Sequence, residues 1–324
     1  MKVPSSAAKA VILGLLLVNF TSLCFGALEV GFYRGKCGVA DVESIVRGVV
    51  IARFSSDPTI VAALLRMQFH DCFVNGCDAS LLLDGPFSEK TAPPNFSVRG
   101  FDIIDQAKTA IENVCPGVVS CADIISLATR DAVFLSGGGR YEVQTGRRDG
   151  LVSLAANVDL PGPSISVTDA IAAFAKKGLT ATDMVLLLGG HTVGITHCSL
   201  ISDRLYNYQN TGGPDPDMDL ALVSILRSTC PQNAAVDNAV ALDQMSPLVV
   251  DNSFYKQLLM RRGILPIDQA LALDSSTKFT VISLANGVKF PAGFGEAMVK
   301  LGAVEVLTGT QGEIRRTCAA INGP

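Results

Sequence analysis

The chain has 324 residues, of which 48% are hydrophobic and 17% charged, enough apolar material for one large buried core or two small ones. The formal net charge is −4; the first 26 residues hold Lys2 and Lys9 and no acid, so the remainder carries −6. That balance argues against nucleic-acid binding, which needs Lys and Arg clustered against phosphates.

The N-terminus reads as a targeting segment. Lys2 and Lys9 precede the apolar run from Ala10 to Phe20, and small residues follow around Cys24-Phe25-Gly26-Ala27. The run is too short to span a bilayer, and no later stretch is long and apolar enough to do so. The expected organisation is a cleaved signal peptide at 1–26 and a single domain at 27–324. Nine cysteines become eight once Cys24 leaves, and an even set in an exported chain reads as four disulfides. Spacing does not fix the pairing, and a zinc site fits poorly because no CxxC pair occurs.

Helical patterns dominate. Val42, Ile45, Val46, Val49 and Val50 share one face of Ala40 to Phe54. Asp57-Pro58 starts a second helix over Thr59 to Cys72. Phe101 to Val114 and Ala122 to Leu135 follow. Val167 to Lys177 stops at Gly178, and Thr180 with Asp183 caps Met184 to Leu188. Leu220 to Cys230, Asn252 to Arg262 and a weaker Pro291 to Leu301 complete the set. Gly- and Pro-rich loops lie between them, including a long one from Tyr206 to Asp219. The expected fold is mostly α.

Three histidines are present: His70, His191 and His197. Arg66 and His70 stand four apart on a helix and share a face, which sets a proton acceptor beside a fixed cation. Taken alone, that pair is more often structural than catalytic. Immediately afterwards, Asp71 to Ser80 alternates oxygen donors along a tight loop containing Gly76, as a hard cation such as Ca²⁺ requires; the alternative is a solvated acidic turn. His191 follows an apolar helix and is flanked by Gly189, Gly190 and Gly194, which would let a flat ligand such as haem approach, although a buried core histidine fits equally well. His197 reads as surface or loop.

The segments RMQFHDCFVNGCDASLLLD (66–84) and LLLGGHTVG (186–194) resemble the distal and proximal signatures of the class III plant peroxidases, the secretory haem peroxidases. Six further stretches agree in order: EKTAPPN, CPGVVSCADI, GRRDG, RLYNYQNTGGPDPD, LDQMSPLVVDNSFY and GILPIDQAL. The likeness runs from about residue 28 to Cys318.

The resemblance implies a haem-peroxidase-like helical fold with haem b held between distal and proximal halves. His70 would take a proton from hydrogen peroxide and return it to the departing oxygen, Arg66 would stabilise the developing charge, and Asn95 would set the tautomer of His70. Asn95-Phe96-Ser97 is also a glycosylation sequon, and the buried catalytic role is the favoured reading. Phe69 would lie over the haem, His191 would ligate the iron, and Asp268 would accept its other ring proton. Two Ca²⁺ are implied: a distal ion with Asp71, Val74, Gly76, Asp78, Ser80 and, through water, Glu89; and a proximal ion with Thr192, Asp243, Ser246, Val249 and Asp251.

Pro161 matches an aromatic-donor site, and the implied disulfides are Cys37–Cys115, Cys72–Cys77, Cys121–Cys318 and Cys198–Cys230. A secreted monomer in the extracellular space or cell wall, using hydrogen peroxide and small phenolic donors, is expected. The alternative is a catalytically weak haem- and calcium-binding wall protein. Three positions depart from the usual pattern: Tyr141 where many members carry Trp, Leu188 where Ser is usual, and Ser246 where Thr is common.

Overall fold

The computed structural model describes residues 27–323, so the expected signal peptide at 1–26 lies outside the described residues. Twelve α-helices and four short strands are present among them. Helix α1 (Val42–Ser56) starts at Asp41, whose carboxylate accepts from the Glu43 amide, and it buries Val42, Val46 and Val50. Helix α2 (Ile60–Cys72) has no side-chain cap of its own; instead the Asp57 carboxylate accepts from the Thr59 amide at 3.1 Å. Burial on nearly every side, from Ile60 to Cys72, makes α2 a central helix.

Helix α3 (Phe101–Glu112) and helix α4 (Cys121–Leu135) follow, the latter capped by Ser120 and buried along most of its length. Helices α1 and α2 both pack on α4. Helix α5 (Val167–Lys176) is capped by Ser166, and helix α6 (Ala181–Leu188) opens on a full capping box between Thr180 and Asp183. That box starts the helix three residues before its first strongly apolar residue, Met184.

Next come α7 (Ser202–Tyr206), α8 (Leu220–Thr229), α9 (Ser253–Leu259), α10 (Pro266–Leu273), α11 (Lys278–Asn286) and α12 (Phe290–Gly302). Helices α7, α10 and α11 were not expected from the sequence. They are short, and none has the long apolar stripe that periodicity can detect. Proline at the first position of α10 is their one local signal. The strands form two antiparallel ladders, β1 (Glu29–Val30) with β2 (Gln144–Thr145), and β3 (Ile195–His197) with β4 (Ala239–Ala241).

Helix α12 closes the molecule by packing on both α6 and α2. The short turn Gly189–Thr192 after α6 lies against α2 and α9, so the two signature segments meet in space. Gly194, at φ +98°, allows this approach: a Cβ there would stand 3.1 Å from the Ala62 Cβ of α2. The four disulfides join Cys37–Cys115, Cys72–Cys77, Cys121–Cys318 and Cys198–Cys230. No helix among the described residues is long and apolar enough to cross a membrane.

Candidate active site

Arg66 and His70 stand on one face of α2, as the spacing of four requires, and Arg66 Nε donates to His70 Nε2 at 3.2 Å. His70 Nδ1 meets Asn95 Oδ1 at 2.6 Å. Since Nε2 accepts from Arg66, the proton sits on Nδ1 and is donated to Asn95. The Asn95 amide in turn donates to the Glu89 carbonyl at 2.8 Å, which fixes its own orientation. Burial pushes the His70 pKa down to about 4, with the neighbouring Arg66 charge adding to the fall and the Asn95 bond opposing it. His70 is therefore a neutral imidazole near pH 7. Asn95 is only 3% exposed and fully engaged, so the Asn95-Phe96-Ser97 sequon offers no accessible acceptor.

Across from this group, His191 Nδ1 meets Asp268 Oδ1 at 2.8 Å. Asp268 is delivered by the first turn of α10 and is 1% exposed. Burial disfavours the His191 cation, but the Asp268 carboxylate outweighs it and the pKa is raised, with Arg66 a smaller opposing charge. Arg66 is thus close enough for its charge to be felt at His191, although the two lie in different signature segments. The His191 side chain stays 31% exposed. Phe254 meets its ring edge-on at 6.1 Å. With Nδ1 held by a carboxylate, Nε2 is the nitrogen left to ligate a metal, and this donor set fits a haem iron. The Asp268 Oδ2 atom is buried without a partner.

Phe69 stacks on Phe73 at 4.6 Å and lies 6.0 Å from Phe174, an aromatic group that joins α2 to α5. Pro161 lines an open groove of about 490 Å³ together with Leu160, Ile165, Asp169 and Lys176. His197 is half exposed in β3, as expected for surface or loop, with Nδ1 3.2 Å from the Asp237 carbonyl.

The loop closing α2 gathers Asp71, Asp78 and Glu89 in the interior. Asp71 accepts from the Ala79 amide at 3.1 Å and Asp78 from the Ser80 amide at 2.9 Å. Burial, followed by mutual repulsion with Asp78 and Glu89, drives the Asp71 pKa up; burial also raises Asp78 and pushes Glu89 up to about 7. Ser80 Oγ and Glu89 Oε2 are buried without partners. Three crowded carboxylates and two orphaned oxygens are what a bound divalent cation would resolve. Val74 and Gly76 complete the turn. Gly76 is at φ +92°, and a Cβ on it would stand 2.4 Å from the Glu305 carbonyl oxygen.

A second oxygen cluster adjoins His191. Thr192 Oγ1 lies 3.3 Å from Asp243 Oδ2, 3.3 Å from the Val249 carbonyl and 3.5 Å from Asp251 Oδ1. Ser246 Oγ lies 3.4 Å from Asp243 Oδ2 and 3.1 Å from Asp251 Oδ1. Hydroxyl hydrogen bonds are normally about 2.7–2.8 Å. Oxygens sharing a calcium ion at about 2.4 Å would stand roughly 3.4 Å apart at right angles, so the spacing suits a cation. Among the described residues no three His, Cys, Asp or Glu side chains form a metal cluster by themselves. Both clusters therefore depend on hydroxyl and carbonyl oxygens, as calcium sites commonly do.

Sequence reasoning missed four contacts. Arg66 Nη1 donates to Ser97 Oγ and Nη2 to the Pro94 carbonyl, each at 2.8 Å. Lys177 Nζ donates to the Val74 carbonyl at 3.1 Å and pairs with Glu305 at 2.6 Å. Nothing in the local pattern singles these residues out. Tyr141, at the position where Trp is usual, has its hydroxyl buried without a partner, and burial raises its pKa.

Fold and site together define a helical oxidoreductase of the peroxidase class. The chain belongs to the peroxidase family, whose model matches residues 46–287, and falls among its plant class III members. It is similar to Peroxidase 60 of Arabidopsis thaliana, at 52% identity over 330 residues covering 100% of this chain and 99% of that protein. Peroxidase 57 of Arabidopsis thaliana is 54% identical over 309 residues, covering 95% of this chain and 97% of that protein. Peroxidase N1 of Nicotiana tabacum is 47% identical over 314 residues, covering 95% and 94%.

Proposed function

We propose that this chain is an exported haem peroxidase that reduces hydrogen peroxide and oxidises small phenolic donors by single electrons. The observation that carries the reading is the state of His70: neutral, protonated on Nδ1 toward Asn95, with the Nε2 lone pair beside Arg66. When the long Arg66 Nε bond to it opens, Nε2 accepts a proton from hydrogen peroxide and passes it to the departing oxygen, which leaves as water. The Arg66 guanidinium stabilises the negative charge that builds on that oxygen as the O–O bond breaks. His191 Nε2 would hold haem b, which would supply the redox chemistry that links one hydrogen peroxide to two one-electron donors.

Asp268 makes the His191 ring more electron-rich through the Nδ1 bond and so favours oxidised iron. Phe69 limits access to the reacting oxygen, and the Pro161 groove receives the phenol. Two Ca²⁺ ions occupy the clusters at Asp71, Val74, Gly76, Asp78 and Ser80 (with Glu89 behind) and at Thr192, Asp243, Ser246, Val249 and Asp251. They brace the end of α2 and the His191 turn. Export to the extracellular space or cell wall rests on the apolar N-terminal run and is supported by four disulfides.

An absorption spectrum of the purified protein tests the cofactor, and rapid mixing with hydrogen peroxide tests the chemistry. His70→Ala should retain the Soret band and lose at least a hundredfold in the rate of peroxide reduction. A native rate in that variant would remove His70 from the mechanism.

A further inference from the structure

The residues 93–99 run alongside α2 and hold more of it than His70. Pro93–Asn95 forms a single 3-10 turn, and the Val98 amide then donates to the Asn95 carbonyl at 3.0 Å, which turns residues 96–98 back toward α2. Within this segment Asn95 Oδ1 accepts a hydrogen bond from His70 Nδ1, the Pro94 carbonyl accepts from Arg66 Nη2, and Ser97 Oγ accepts from Arg66 Nη1. Two residues further on, Arg99 pairs with Asp57 at 2.8 Å, anchoring the segment at the start of α2.

A guanidinium has five N–H donors in one plane. Three are engaged in the resting arrangement, Nε to His70, one Nη2 proton to Pro94 and one Nη1 proton to Ser97, and of these only the Nε bond opens when His70 takes the peroxide proton. The remaining two are left for the developing oxyanion. An arginine held at only two points can swing about its long stem, and a misplaced cation stabilises a transition state poorly. Ser97 is the sole side chain among those partners besides His70 itself, so it is the adjustable part of the clamp.

We infer that Ser97 is a positioning residue for Arg66, aiming the guanidinium at the peroxide oxygen; this rests on the role of Arg66 proposed above. The same hydroxyl completes the Asn95-Phe96-Ser97 sequon, so in this chain a motif that reads as a glycan acceptor serves the active site through both of its polar residues. Asn95 orients the base and Ser97 orients the cation.

The test uses holoenzyme and three variants, Ser97→Ala, Ser97→Thr and Arg66→Leu. The readouts are the second-order rate of peroxide reduction, the affinity of the resting protein for fluoride, haem content and intact mass. Fluoride is a small anion that the Arg66 guanidinium should stabilise in the same place and that undergoes no redox chemistry. Ser97→Ala should slow peroxide reduction and weaken fluoride binding, each by roughly three- to tenfold, as expected for losing one of several bonds to a charged group. Haem content should be unchanged, and Ser97→Thr should recover both values. Intact mass should show no glycan on the wild type or on Ser97→Thr, which keeps the sequon.

A native-like Ser97→Ala beside a slow Arg66→Leu would overturn the role of Ser97 while leaving that of Arg66. So would Ser97→Ala losing haem at an unchanged peroxide rate, which would make the hydroxyl a cofactor contact. A glycan on Asn95 of active wild-type enzyme would also overturn the proposal, and a native-like Arg66→Leu would overturn the reading of the whole site.

Discussion

Removing calcium should invert the pH dependence of stability, and the distal carboxylates set the size of the effect. Burial, with mutual repulsion added, raises the pKa of Asp71 and Asp78 and pushes Glu89 up to about 7 from its ordinary 4.5. A folded-state pKa above the unfolded one means the folded chain holds the proton more tightly. That contribution is complete below the unfolded pKa and is lost as pH rises through the folded one. For Glu89 alone the gap corresponds to about 3 kcal/mol, surrendered between about pH 4.5 and pH 7. For a chain of this size the loss lowers the melting temperature by about 5 °C, and Asp71 and Asp78 add to it in the same direction.

With calcium bound, the carboxylates are ionised and paired, so the same interval should be flat or rise with pH. Melting curves from pH 4.5 to 8, in chelator and in excess calcium, measure the difference, in which the titration of groups remote from both ions cancels. Parallel curves would show that these three carboxylates do not share a cation.

Three further outcomes follow from the geometry. Because His70 acts as a base only when neutral, peroxide reduction should hold constant from pH 7 down to about 5. It should halve near pH 4 and then fall about tenfold per pH unit, whereas an acid limb near 6.5 would contradict the buried environment. Asp268→Asn replaces a charge-assisted bond with a neutral one worth about 1–1.5 kcal/mol less, and should raise the iron reduction potential by roughly 45–65 mV. Spectroelectrochemistry checks this, and a shift below roughly 20 mV would break the link to His191. Cys121 and Cys318 close a loop of 197 residues while Cys72 and Cys77 close one of 5, so chain entropy assigns them about 5 and about 2 kcal/mol. Urea unfolding of Cys121→Ser/Cys318→Ser and Cys72→Ser/Cys77→Ser in excess calcium should preserve that order, and the reverse order would refute the entropic account.

Helices α2 and α6, which lead to His70 and His191, are legible in the sequence from their apolar runs and start signals. Helix α2 was readable from Asp57-Pro58 and its apolar run, and α6 from Thr180 and Asp183. Helices α10 and α11 were not, since short helices take most of their stability from neighbours rather than from their own pattern. Asp268 shows the consequence. It sits on α10 and looks like any surface acid in the sequence; only the packing of α10 sets it 2.8 Å from His191.

Sequence by itself determined what is local in the chain: the shared face of Arg66 and His70, the alternation of oxygen donors from Asp71 to Ser80, and the capping residues Thr180 and Asp183. Helical and loop periodicity fix these within a few residues, whatever the rest of the fold does. Tertiary structure alone decided what crosses the chain. It brought Asn95 to the far nitrogen of His70 and gathered oxygens of Asp243, Val249 and Asp251 around Thr192. It also seated Arg66 between Pro94 and Ser97, about thirty positions away in sequence. Those contacts depend on how α2, the 93–99 segment and α10 pack, and packing is a property of all the elements together rather than of any one stretch.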